Sequence, residues 1–165
     1  MTVTDELLAN ARSYQATFDK GGLPMPPGRR VAIVACMDAR LNPYGLFGLA
    51  EGDAHVIRNA GGVVTEDEIR SLAISQRLLG TEEIILVHHT DCGMLMFTDD
   101  GFRQQILEET GIKPGWAAEA FDDLDADVRQ NIARIKASPF IPRTSSVRGF
   151  VYDVTSGSLR EVAPA

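Results

Sequence analysis

The sequence predicts an α/β domain: a central, mostly parallel β-sheet flanked by helices, with an N-terminal helical arm and a C-terminal β-hairpin. Three observations predict it. The runs Val31-Ala32-Ile33-Val34-Ala35 and Ile84-Ile85-Leu86-Val87 are apolar without alternation, as in parallel strands covered on both faces. Segments of helical periodicity separate such runs, and that order builds a parallel sheet. Near the C-terminus, Thr155-Ser156-Gly157 lies between two strand-like runs and signals a hairpin.

Taken in order, Thr4 to Phe18 reads as an amphipathic helix capped by Thr4, with Leu7, Leu8, Ala11, Tyr14 and Phe18 at helical spacing. Gly21 to Gly28 is Gly/Pro-rich, too rigid and too poor in donors for regular structure, so residues 1–28 read as an arm and linker. Two placements of the arm stand open: on its own core, or across another subunit. Val31–Ala35 is the first strand. Ala54-His55-Val56-Ile57 is the second, ending in Arg58-Asn59-Ala60-Gly61-Gly62. Thr65 to Leu79 is a helix: Thr65 and Glu68 form a capping box, and Gly80 stands as the stop. Its residues Ile69, Leu72, Ala73, Gln76 and Leu79 share one side. Glu83 to His88 is the third strand, and Thr98 to Glu109 a helix ending at Gly111. Asp122 to Ala137 is a helix whose stripe is Leu124, Val128, Ile132 and Ile135, with Pro139 beyond its end. Phe150–Val154 and Ser158–Val162 form the hairpin. With no internal repeat or low-complexity tract, residues 1–165 read as a single domain.

A chain of 165 residues can bury a core without disulfide or metal staples. Apolar residues are 44% and charged residues 24%, ordinary for a soluble globular protein. The formal net charge of −7 argues against a nucleic-acid partner. It leaves room for a small anionic substrate, because a local Arg or metal reverses the field inside a cleft. No apolar run approaches the roughly 20 residues that span a bilayer. The acidic start Met1-Thr2-Val3-Thr4-Asp5-Glu6 does not read as a signal peptide. Two cysteines without such a signal fit the reducing cytoplasm, where close thiols bind metal or do chemistry.

Those two cysteines end up beside strand ends. Cys36-Met37-Asp38-Ala39-Arg40 follows the first strand, and His88-His89-Thr90-Asp91-Cys92-Gly93 follows the third. In an open α/β sheet, ligands bind at the carboxyl ends of strands where strand order reverses. Cys36, His89 and Cys92 are the ligand set of a catalytic zinc site with one open position. The bland alternative is two buried thiols and one satisfied histidine, and the sharper competitor is a Cys36–Cys92 redox pair. Asp38 and Arg40, two apart on an extended segment, point the same way and can pair. Alone they read as a structural ion pair. Beside zinc, Asp38 can accept a hydrogen bond from zinc-bound hydroxide, or swing onto the metal as a fourth ligand and close the site; Arg40 restrains it by holding both oxygens. Two thiolates cancel the charge of Zn2+, so bound water titrates above the value of about 7 typical of a three-histidine site, and activity is expected to rise with pH.

The remaining candidates divide between roles. Arg58 and Asn59, with Gly61 and Gly62, read equally as turn punctuation or as a substrate-binding wall with close backbone approach. His88 should face away from His89 and serve core or surface rather than shuttle protons. His55 has no nameable partner. Asp91 reads as a loop-orienting residue, and Met94, Met96 and Phe97 as core.

In order and spacing, Cys36-x-Asp38-x-Arg40, Arg58-Asn59-Ala60-Gly61 and His89-Thr90-Asp91-Cys92-Gly93 resemble the β-class carbonic anhydrases. The resemblance is strong from Val31 to Phe97 and extends in layout to the arm and to Arg148-Gly149-Phe150-Val151-Tyr152-Asp153. It is nearest to the short bacterial and archaeal subgroup, mycobacterial and actinobacterial members especially. The resemblance implies a zinc lyase interconverting CO2 and bicarbonate by zinc-hydroxide attack, with Cys36, His89 and Cys92 as zinc ligands and Asp38 and Arg40 as a catalytic dyad. It implies a homodimer or dimer of dimers, with clefts near the subunit interface and the first helix packed on the partner. Ala39 stands where many relatives have Ser, and the Gln that helps bind bicarbonate in the plant-type subgroup has no clear counterpart. Val63 and Val64 are candidates for the wall of the CO2 pocket. Rival readings are a CS2 or COS hydrolase on the same site, a non-catalytic zinc or redox-sensing module, and a thiol enzyme using Cys36.

Overall fold

Every residue from Ala32 to Cys36 is buried in the first strand, Val31–Cys36 (β1), as a strand covered on both faces should be. In the computed structural model, which describes residues 2–163, β1 lies between two parallel neighbours. These are Ala54–Asn59 (β2) and Glu83–His89 (β3). Val147–Tyr152 (β4) runs parallel beside β3, and Leu159–Val162 (β5) closes the sheet antiparallel as the second arm of a hairpin. Among the described residues the strand order is β2-β1-β3-β4-β5. The chain leaves β1 toward one side and returns on the other, so order reverses at β1, and β1 and β3 deliver their last residues to one edge.

Successive side chains of β1 serve opposite faces. Ala32 and Val34 belong to the core beneath the helices Glu66–Leu79 (α3) and Leu124–Ala137 (α5), with Leu72, Val128, Ile132 and Ile135. Ile33 and Ala35 belong to the other core, with Leu41, Val87 and Met94, flanked by the partly buried Phe47, Leu49 and Phe97; Cys36, where the strand ends, breaks the alternation and joins that core too. One close approach sets the spacing of α5: a Cβ on Gly149 of β4 would lie 2.2 Å from Val128 Cγ1. The helix thus rests on bare strand backbone.

The element bounds differ from expectation in informative ways. β1 and β3 each run one residue further than predicted, so Cys36 and His89 are strand residues held by the sheet. The first helix, Val3–Ala16 (α1), is capped by Thr2 rather than Thr4: the Thr2 hydroxyl accepts from the Asp5 amide at 3.2 Å, and the Asp5 carboxylate accepts from the Thr2 amide at 2.7 Å. Thr4 lies inside the helix because this reciprocal pair fixes an earlier start. A short helix, Pro43–Phe47 (α2), was not predicted; five residues are too few to show a 3.6-residue period. Its signals are local: Pro43 opens it, Asn42 Oδ1 accepts from the Gly45 amide at 3.2 Å, and Gly48 ends it at φ 61°. Asp99–Thr110 (α4) follows its Thr98 cap, and at Thr65 both the hydroxyl and the amide donate to Glu68, as predicted. None of the residues of α1 is buried among the described residues, and Leu7, Leu8 and Tyr14 are each more than half exposed.

Candidate metal centre

Cys36 ends β1, His89 ends β3, and Cys92 returns to them through a tight loop. The loop turns at Asp91, whose φ of 54° lies in the left-handed region that Asp tolerates better than most residues. Thr90 ties the loop to the sheet by donating its amide to Tyr152 O at 2.9 Å. The sulfurs of Cys36 and Cys92 stand 4.0 Å apart, both cysteines are free, and one donor atom from each of Cys36, His89 and Cys92 lies within 4.8 Å of the others. All three are buried, His89 completely.

His89 decides what this trio can do. Its Nδ1 meets Thr90 O at 2.8 Å, and a carbonyl only accepts, so Nδ1 carries the proton. The lone pair is then on Nε2, which is buried and has no hydrogen-bond partner among the described residues. A buried acceptor without a donor is costly, and a metal ion removes that cost. In a tetrahedral site with metal–sulfur bonds of about 2.3 Å, the sulfurs stand about 3.8 Å apart, so the observed spacing fits within a few tenths of an ångström. The hydrogen bond between the two sulfurs pushes the Cys36 thiol down against the opposing effect of burial, and pushes Cys92 up. The main-chain amides of Asp38 and Gly61 act in the same direction on Cys36. Two sulfurs this close, which give up their protons to a metal, offer a divalent cation a place here.

Asp38 and Arg40 pair as predicted. Arg40 Nε donates to Asp38 Oδ1 at 3.0 Å and Nη2 to Oδ2 at 2.8 Å, and the Arg40 amide adds a bond of 2.8 Å to Oδ1. The guanidinium first, then the amide, hold Asp38 well below the usual carboxylate range. Arg40 also reaches the opposite loop, donating to Asp91 Oδ2 at 2.8 Å and to Asp91 O at 3.0 Å. That is the loop-orienting role expected of Asp91. Asp38 Oδ2 remains 3.7 Å from His89 Nε2, beside the trio while engaged with Arg40.

Arg58 is neither plain punctuation nor open wall. Its Nε and Nη2 donate to Cys36 O at 2.9 and 2.7 Å, and Nη2 donates to Asp38 O at 2.7 Å. It clasps the backbone between a candidate ligand and the acid beside it. Gly61 and Gly62 are buried, with φ of 85° and 67°, and Gly62 lies against Cys36. A Cβ on Gly62 would stand 2.8 Å from Cys36 N, so only glycine lets this turn approach so closely.

His88 faces away from His89, fully buried, with Nε2 2.7 Å from Asp127 Oδ2. His55 has a partner that its sequence neighbours did not disclose, Ser75 Oγ at 2.7 Å. Met94 is buried and Phe97 partly so, but Met96 is 81% exposed, against the expectation of a core residue. The tight turn Gly93–Leu95 directs Met94 inward and Met96 outward. Val63 and Val64 are buried. Asp127 and Asn131 went unnoticed in the sequence; their signal was two polar residues four apart in an otherwise apolar stripe.

A family model described as carbonic anhydrase matches residues 31–136. Beta-carbonic anhydrase 1 of Mycobacterium tuberculosis is 62% identical over 164 residues, covering 99% of this chain and 100% of the relative. The carbonic anhydrase of Streptococcus mutans superposes with a TM-score of 0.92 at 43% identity, covering 99% of each chain. A carbon disulfide hydrolase of Saccharolobus solfataricus is 34% identical over 182 residues, covering 95% of this chain and 87% of the relative.

Proposed function

From the membership of this chain in the β-class carbonic anhydrase family, we propose that it hydrates CO2 reversibly to bicarbonate and a proton, with Zn2+ held by Cys36, His89 and Cys92 and with Asp38 and Arg40 as a catalytic dyad. The observation that carries the ligand assignment is His89 Nε2, a buried lone pair without a donor, beside two sulfurs at metal-site spacing. When bound, Zn2+ supplies Lewis acidity that lowers the pKa of water near it. The chain's own residues supply the rest. The two sulfurs and the imidazole would supply three ligands to the metal and leave one position for water. Asp38, held ionised by Arg40, keeps lone pairs available to accept a hydrogen bond from water there and fix its orientation. Arg40 keeps both Asp38 oxygens engaged, so the carboxylate stands beside the centre. Arg58 fixes the backbone that carries Cys36 and Asp38. Gly61 and Gly62 contribute a turn of bare backbone against Cys36; Val63 and Val64 remain candidates for the CO2 pocket.

The greater likeness to the mycobacterial carbonic anhydrase than to the carbon disulfide hydrolase favours CO2 over CS2. The test combines metal analysis with assays of CO2 hydration and CS2 hydrolysis for wild type and Asp38→Ala. The expected result is about one zinc per chain in both proteins. Wild type hydrates CO2 and leaves CS2 unchanged, and Asp38→Ala keeps zinc but loses most activity. Full activity in Asp38→Ala sinks the dyad, and CS2 turnover without CO2 hydration sinks the substrate.

The protein acts as a homodimer or dimer of dimers, with residues 1–28 as an arm on a single domain. In support, α1 leaves its apolar residues exposed on its own chain, and burial is what normally stabilises such a helix. The two free, buried thiols fit a cytoplasmic setting, and no helix among the described residues is long and apolar enough to cross a membrane. A formal net charge of −7 fits a small-molecule enzyme without a nucleic-acid partner.

A further inference from the structure

The apolar stripe of α5 hides a polar one. Asp127, Asn131 and Arg134 are four and three residues apart, so they share one side of the helix. Asp127 and Asn131 are buried. Asp127 Oδ2 receives His88 Nε2 at 2.7 Å and Asn131 Nδ2 at 2.8 Å. Asn131 Nδ2 also donates to Asp127 O at 2.8 Å, while its Oδ1 accepts from the Val64 amide at 2.7 Å. Arg134 Nη1 donates to Val64 O at 3.1 Å, so α5 holds both polar groups of Val64. Asn59 Nδ2 fixes the preceding Val63 O at 2.7 Å.

These bonds converge on two backbone segments. His88 is the residue before His89 at the end of β3. Val64 follows the Gly61–Gly62 turn, which lies against Cys36 so closely that Gly62 admits no Cβ. Asn131 has its oxygen and its nitrogen satisfied, which offsets the cost of burying an amide and makes its geometry specific.

We propose that Asp127 and Asn131 are positioning residues for the metal centre: through His88 they set the strand end that carries His89, and through Val64 they set the glycine turn against Cys36. Arg134 braces the second side of Val64. The proposal rests on the assignment of Cys36, His89 and Cys92 as metal ligands. Groups that orient ligands from behind in this way alter metal affinity by about 10- to 100-fold.

The test uses the full-length protein and reads the metal rather than turnover. Co2+ affinity by competition with a chromophoric chelator, the visible absorption of the Co2+-loaded protein, and the melting temperature of the metal-free protein are compared for four proteins. These are wild type, Asn131→Leu, Arg134→Gln and Ile132→Val, the last a loss of packing on the same helix without a lost polar contact. Asn131→Leu is expected to bind Co2+ about 10- to 100-fold more weakly with an altered spectrum. Arg134→Gln shifts both in the same direction by less, and it carries the test if Asn131→Leu does not fold, since Arg134 is partly exposed. Ile132→Val lowers the melting temperature and leaves affinity and spectrum as in wild type. Wild-type affinity and spectrum in Asn131→Leu, or in Arg134→Gln where that variant stands alone, overturn the proposal. Equal losses in Ile132→Val overturn it too, by reducing the effect to stability. Failure of wild type to bind Co2+ overturns the ligand assignment itself, and is seen before any variant is made.

Discussion

Arg40 grips Asp38 with Nε and Nη2 and reaches Asp91 with Nη1 and Nη2, so one guanidinium joins the loops after β1 and β3. A planar fork with fixed donors suits that double duty in a way a lysine does not. The pairing has a consequence for pH. Because the Asp38 pKa is depressed, its contribution to stability is present above the unfolded value of about 3.9 and is lost only as pH falls through the lower folded value. Asp38 is therefore charged throughout pH 6 to 9 and contributes no titration there. The pH–rate profile of CO2 hydration is expected to rise through a value above neutrality, since two thiolates offset the charge of Zn2+. Asp38→Asn should lower the plateau and leave the position of that rise unchanged; a profile that fell between pH 6 and 9 would contradict the reading. Most of the residue chemistry was legible beforehand. The strand-end cysteines, the His-x-x-Cys spacing and the alternation that turns His88 away from His89 are local properties of a chain. The tether from His88 to Asp127 and the clasp of Arg58 were not legible, because both join residues distant in sequence.

Among elements, α5 shows how little room separates packing from positioning. Val128 and Ile132 rest on the backbone of β4, where a Cβ on Gly149 would meet Val128 Cγ1 at 2.2 Å. Gly149→Ala therefore forces the helix outward or Val128 into another rotamer, a cost of about 1–3 kcal/mol for an overpacked core. Chemical denaturation should show that loss of stability. Metal affinity should fall with it if α5 shifts, because the same helix holds Val64 and His88. The helices α3, α4 and α5 were readable from caps and period. α2 was not, because its signals are a proline, an asparagine cap and a left-handed glycine within seven residues. The cap of α1 lies two residues before the expected Thr4, because Thr2 and Thr4 compete and only the Asp5 contact decides between them.

For the whole molecule, the exposed apolar residues of α1 point to a partner. Leu8 and Tyr14 are 52% and 54% exposed, and a second copy of this chain would bury them. Leu8→Glu with Tyr14→Ser should shift the protein from dimer toward monomer in analytical ultracentrifugation while leaving its circular dichroism nearly unchanged; a dimer of undiminished affinity would detach the arm from assembly. By itself the sequence determined the strands, most of the helices and the chemistry at the two strand ends, because period, caps and ligand types are local and repeat within a few residues. Tertiary structure decided which strands are neighbours, and so that Cys36 meets His89 and Cys92. It also decided that Gly62 lies against Cys36, that Met96 faces outward, and that a buried polar stripe on α5 reaches His88 and Val64. Those outcomes depend on contacts between segments dozens of residues apart, which close packing selects and no short window of sequence records.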